Sequence, residues 1–158
     1  MPEIVELLVS DVHRYEGRPE LAAVPAPVET RDSIEIRAGL GVVGDRYFNR
    51  AAHRDASVTL MSAEALAPWP GAGLTATRRN VLLRGLDADA GLGRVLTLDS
   101  GDGPVSLRLH RPARPCRWLD LTVGDGAWRG LRGHGGVRCS PLTSGVLRLG
   151  PVIATWTD

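Results

Sequence analysis

The chain has 158 residues, 43% hydrophobic and 23% charged, which suits one folded domain over residues 1–158 and excludes a disordered polymer. A formal net charge of +1 supplies no bulk attraction to nucleic acid or membrane, so neither is expected as a partner. All 19 basic residues are Arg, which excludes Schiff-base chemistry and a P-loop and leaves planar forks suited to phosphates and carboxylates.

Two cysteines are too few for a disulfide scaffold. No apolar run approaches the roughly 20 residues that span a bilayer. Met1-Pro2-Glu3 carries no positive n-region, and the expected location is cytoplasmic.

Ile4 to Ser10 (IVELLVS) predicts a first strand, followed by a turn-rich stretch through Gly17, Arg18 and Pro19. Ala22 to Pro27 reads as a surface loop. Ser33 to Arg37 (SIEIR) alternates with period two, as a half-buried strand does. Ser57 to Ser62 (SVTLMS) is a further strand, and Ser62-Ala-Glu-Ala-Leu opens a short helix that Pro68 ends. Asn80 to Arg84, Arg94 to Asp99 and Val105 to His110 are three more strands, the last two joined by the hairpin turn Ser100-Gly-Asp-Gly-Pro104. Trp128 to Arg132 is expected to be helical, stopped by Gly133, Gly135 and Gly136. Val146 to Leu149 and Val152 to Trp156 close the chain as strand. Many short strands broken by Gly and Pro predict a mainly β fold, a sandwich or a barrel.

Cys116 is the leading candidate for chemistry. It sits in Arg111-Pro-Ala-Arg114-Pro-Cys116-Arg117, directly after a predicted strand. Neighbouring guanidinium groups favour a thiolate, which is both a nucleophile and a ligand for soft metals. Pro112 and Pro115 stiffen the loop, and Arg114 is drawn toward an extended conformation by the proline after it. Cys139, with fewer cationic neighbours, reads as structural. Two further segments carry candidates. In Gly41-Val-Val-Gly44-Asp45-Arg46-Tyr47, Asp45 can hold Arg46 so that its fork meets an anion. In Thr77-Arg78-Arg79-Asn80, adjacent Arg side chains at a strand start point to opposite faces, one to a cleft and one to solvent. The Asn80 amide, donor and acceptor together, suits a heterocycle edge. A turn with a surface ion pair and a strand edge blunted by charge are the alternative readings of these segments.

In order along the chain, Val12-His-Arg-Tyr-Glu-Gly17, Gly44-Asp-Arg46, Thr77-Arg-Arg-Asn80 with Val81 to Gly85, Pro115-Cys116 and Gly130-Leu-Arg-Gly-His-Gly-Gly136 resemble the MOSC domain, the C-terminal domain of molybdenum cofactor sulfurases. The resemblance covers nearly the whole chain. It implies a β-barrel of short strands with a few short helices, and molybdenum cofactor (molybdopterin) bound with Cys116 as thiolate ligand of the metal. Arg78 and Asn80 match the arginine and asparagine of the family's pterin-binding strand start; Arg46 and Arg114 are the further cofactor-binding candidates. Relatives that reduce N-hydroxylated substrates suggest the same reaction here, with electrons from a separate transfer partner. Two other readings stand beside it. Cys116 can carry a persulfide received from a sulfur donor protein for metal–sulfur or molybdenum cofactor maturation. The barrel can also be non-catalytic and bind a protein.

Overall fold

The computed structural model describes residues 1–11 and 29–158. The Val12–Gly17 segment, the turn-rich stretch after it and the Ala22–Pro27 loop lie outside the described residues.

Eleven strands account for most of the regular structure among the described residues. They are β1 (Glu3–Leu7), β2 (Ser33–Arg37), β3 (Gly41–Val42), β4 (Val58–Ser62), β5 (Val81–Arg84), β6 (Val95–Asp99), β7 (Pro104–Pro112), β8 (Val137–Pro141), β9 (Gly145–Arg148), β10 (Gly150–Pro151) and β11 (Ile153–Thr157). Three short helices, α1 (Leu74–Thr77), α2 (Trp118–Thr122) and α3 (Ala127–Gly130), interrupt them.

Eight strands form one sheet in the order β10-β1-β5-β4-β8-β7-β6-β11. Its two edges, β10 and β11, are separated in the chain by Val152 alone. One stretch of backbone therefore pairs with β1 on one side and β6 on the other, and the sheet curls into a nearly closed barrel. A second sheet, β3-β2-β9, adds Ile34, Ile36, Val42 and Leu147 to the same core. The expected mainly β barrel of short strands is what forms.

Period-two alternation explains most strands. Val105, Leu107 and Leu109 of β7 are fully buried, while Ser106, Arg108 and His110 between them are not. β4 and β5 differ: they run parallel, and both faces are covered. Val58, Leu60, Val81 and Leu83 face the barrel core. Met61 and Leu82 face a second cluster with Leu74 of α1, Leu119 of α2, Ala127 of α3 and Leu131. A strand covered on both sides reads as a continuous apolar run, which VTLM and VLL are.

The short strands β3 and β10, strand β8 and the helices α1 and α2 are not read from the sequence. Val137–Pro141 is strand β8, with Val137, Cys139 and Pro141 turned inward. Trp118–Thr122 and Leu74–Thr77 are helices of five and four residues that exist to cover β4 and β5. The helix expected to open at Ser62 is a single 3-10 turn, Ala63–Leu66, and the one expected over Trp128 to Arg132 ends at Gly130.

The barrel interior predicts a sharp contrast between two leucines. Leu107→Ala, in the core at 0% exposure, should cost about 2–5 kcal/mol. Leu92→Ala, at 42% exposure on the surface, should stay within about 0.5 kcal/mol. Urea unfolding of both variants measures the difference.

Candidate functional site

The site is organised by the turn between α1 and β5. Arg78 ends α1 in the left-handed conformation, φ 64°, with its N–H donating to the Leu74 carbonyl at 2.7 Å. That conformation costs a non-glycine residue roughly 1–2 kcal/mol, so the surrounding contacts must hold it. It also sends the next two side chains apart. Arg78, Arg79 and Asn80 are all buried, at 4%, 9% and 1% exposure. Neither arginine faces solvent, which corrects the expectation of one side chain toward a cleft and one toward water.

The Arg78 fork meets the Glu29 carboxylate at 2.7 and 3.3 Å and donates to Ser10 Oγ. Its Nε has no hydrogen-bond partner among the described residues although it is buried. Asn80 makes four side-chain bonds. Oδ1 accepts from the Thr59 N–H at 3.0 Å and the Thr59 hydroxyl at 3.1 Å, and Nδ2 donates to the Leu8 carbonyl and Asp45 Oδ1, both at 3.2 Å. Asp45 Oδ1 also accepts from the Ser10 N–H and from Arg46 Nη1, and Arg46 Nη2 donates to the Arg78 carbonyl at 3.0 Å. The Arg46 guanidinium lies over the Tyr47 ring, 4.5 Å from its centroid. Arg46, Arg78 and Asn80 are thus brought into one buried network that ties the end of β1 to β4 and β5.

Arg79 points the other way. Its Nε donates to the Gly135 carbonyl, its Nη1 to the Thr77 carbonyl and its Nη2 to the Ala113 carbonyl, at 3.0–3.2 Å. One guanidinium therefore pins both the loop that leads to Cys116 and the Gly133–Gly136 loop. The Ala113 N–H donates to the Gly136 carbonyl at 2.8 Å and completes the clamp. Gly136, φ 96°, must be glycine: a Cβ there would lie 2.2 Å from the Leu60 carbonyl oxygen. The clamp was not legible locally, because its partners are carbonyls 34 and 56 residues away.

Cys116 follows this clamp, half-buried, with its carbonyl accepting from the Leu119 N–H where α2 starts. Arg114 is exposed beside it. Cys139 is fully buried in β8, and burial pushes its thiol up far beyond the ordinary cysteine range. The two thiols are free and chemically unequal. On the outer face of β7 and β8, His110 meets Ser140 Oγ at 2.7 Å and Asp55 at 3.7 Å, both through Nε2. Asp55 does not orient the ring from Nδ1, so the trio lacks the order a nucleophilic serine needs.

The Gly133–Gly136 loop also carries His134 into the wall of a hollow of about 580 Å³, with Glu64, Leu86, Asp87 and Asp89. Asp89 Oδ1 accepts from the Gly136 N–H at 3.1 Å, and its Oδ2 is buried with no partner among the described residues. Burial raises the Asp89 pKa, and the Asp87 charge adds to the rise; the Gly136 N–H and His134 oppose it.

No protein-family model matches the sequence, and no curated protein matches it. Solved structures do. The chain is similar to the YuaD protein from Bacillus subtilis, with TM-score 0.72 and 16% identity over 100% of this chain and 97% of that one. YiiM from Escherichia coli superposes with TM-score 0.57 and 14% identity, over 99% of this chain and 70% of that one. YiiM from Geobacillus stearothermophilus gives 0.52 and 19% over 66% of this chain, which spans 55% of that protein. The barrel is MOSC-like. At these identities the likeness establishes the fold.

The sequence resemblance, not the fold likeness, is what raises molybdenum cofactor, and the chemistry of the described residues suits such a group at one end. Cys116 offers a reachable thiol for a soft metal, and Arg114 an exposed fork for an anion. At the other end, Arg46 and Asn80 already bond to Arg78 and Asp45, and the buried Nε of Arg78 has no partner among the described residues.

A raised Asp89 pKa means the native state binds its proton more tightly than the unfolded chain does. Its contribution to stability is therefore full below the unfolded carboxylate value and is lost as pH rises through the native one. Asp89→Asn, which keeps an acceptor for the Gly136 N–H, removes that dependence. The stability of the variant relative to wild type should be highest near neutral pH and should fall as pH is lowered below the native Asp89 value. Paired urea titrations across pH 4–8 read the difference directly.

Proposed function

We propose that the protein binds molybdenum cofactor with the Cys116 thiolate as ligand of the metal, and that it serves reduction of N-hydroxylated substrates. The observation that carries this reading is the placement of Cys116: a reachable thiol at the end of a MOSC-like barrel strand, on a loop fixed by the buried Arg79 guanidinium. A rigid loop holds a ligand atom in one position, which a metal–thiolate bond requires. Arg114 suits the anionic tail of the cofactor, and the Nε of Arg78, without a partner among the described residues, is a donor that an added acceptor could meet. When bound, the cofactor supplies two-electron redox chemistry at a metal–sulfur centre, with electrons from a separate transfer protein. The chain's own part is to ligate, orient and exclude water. The whole cycle would run in the cytoplasm.

A second reading is favoured by the state of the inner network. Because Arg78 pairs with Glu29 and Asn80 is fully bonded, the reachable thiol can act without them. Cys116 would then accept the outer sulfur of a donor protein's persulfide, its thiolate attacking that sulfur and releasing the donor's thiol.

Elemental mass spectrometry of protein purified from a host that makes the cofactor separates the readings. The first predicts near-stoichiometric molybdenum in wild type and at least a tenfold loss in Cys116→Ala, with folding unchanged by circular dichroism. Metal absent from both, with cyanide-labile sulfur on wild type alone, selects the carrier. Neither metal nor labile sulfur on Cys116 removes both.

A further inference from the structure

Four surface arginines of the described strands and their flanks stand against an acid. Arg84 pairs with Glu3 across β5 and β1, Arg37 with Glu35, Arg94 with Asp158 and Arg148 with Asp102. At the seam of β7 and β8 the opposite holds. Just past a β-bulge between Leu109 and Arg111, Arg111 and Arg138 are partners in the antiparallel register. Residues opposite one another in such a pair share a face with Cβ atoms about 4.5–5.5 Å apart, and like charges there repel. Arg108, opposite Ser140 on the same two strands, adds a third cation to that outer face. None of these three side chains makes a hydrogen bond or an ion pair with a described residue. Asp55, a carboxylate that reaches this face, engages His110 at 3.7 Å.

Three arginine forks without a counter-charge, two of them fixed opposite each other by the sheet register, are unfavourable alone and favourable around an anion. Planar guanidiniums bind oxyanions bidentately, and a dianion with three or four oxygens satisfies two forks together. Arg138 is half-buried and Arg111 exposed, so the pair is partly shielded from water while open on one side. The geometry points to an oxyanion site on the outer face of β7 and β8, formed by Arg111 and Arg138 and taking a dianionic phosphate or sulfate group. Its ligand is either the free ion or the phosphate end of a larger molecule. The site stands whether or not Cys116 holds a metal or a persulfide.

The test uses the full chain in low-salt buffer near pH 7.5, with inorganic phosphate titrated at constant ionic strength made up with chloride. Thermal unfolding and calorimetry should show saturable phosphate binding, matched by sulfate and not by chloride. Arg111→Gln and Arg138→Gln should each weaken it at least tenfold. Each variant should also melt above wild type when no phosphate is present, because the repulsion is gone. Glycerol 2-phosphate binding more tightly than phosphate assigns the site to a phosphate monoester; the reverse order assigns it to the free ion. Equal phosphate effects in wild type and both variants would overturn the site. So would chloride acting as well as phosphate, or variants that melt below wild type without phosphate. Repeating the titration in Cys116→Ala, whose phosphate binding should be unchanged, keeps this result separate from the fate of the cysteine reading.

Discussion

Two buried guanidiniums leave one turn in opposite directions, and the rest of the site depends on that divergence. A charged group deep in a protein is tolerated only where its donors find acceptors, so Arg78 and Arg79 each dictate what surrounds them. Arg78 gathers Glu29, Ser10 and the Asp45–Asn80 network. Arg79 gathers the carbonyls of Thr77, Ala113 and Gly135. The left-handed backbone at Arg78 is the hinge between them, and its intrinsic cost is offset by both sets of bonds.

From that hinge the barrel transmits order outward. β4 and β5 lie parallel under the turn, covered on one face by the core and on the other by the three short helices. The ends of β7 and β8 stand beside it, and the loops beyond them are held by Arg79 and by the Ala113–Gly136 bond. A thiol on such a loop keeps one position while remaining reachable. Cys139, fully buried in β8, has the opposite character: complete burial holds it protonated and inert.

What could be read from the sequence follows from the range of the interactions involved. SIEIR and VSLRLH declare themselves because alternation is a local signal and one face of each strand is wet. VRCSP does not declare itself as a strand because a proline and flanking glycines outweigh five alternating residues, and its inward set is completed by neighbours on β4 and β7. WLDLT forms a helix only because Leu119 has the second cluster to cover. The Cys116 loop was legible, since its Arg and Pro residues are contiguous. The destiny of Arg78 and Asn80 was not: their partners Glu29 and Asp45 lie 49 and 35 residues away. Nothing within the Thr77–Asn80 segment says that its polar groups close on the protein itself.

The central claim is that Arg79 fixes the loop carrying Cys116. Amide hydrogen exchange of wild type and Arg79→Met, followed residue by residue, addresses it most directly. The account predicts that the Ala113 and Gly136 amides lose at least tenfold protection in the variant, while those of Leu96, Leu98 and Leu107 in the barrel wall keep theirs. Unchanged protection at Ala113 and Gly136 would show that the loops hold their places without the guanidinium. That result would contradict the claim.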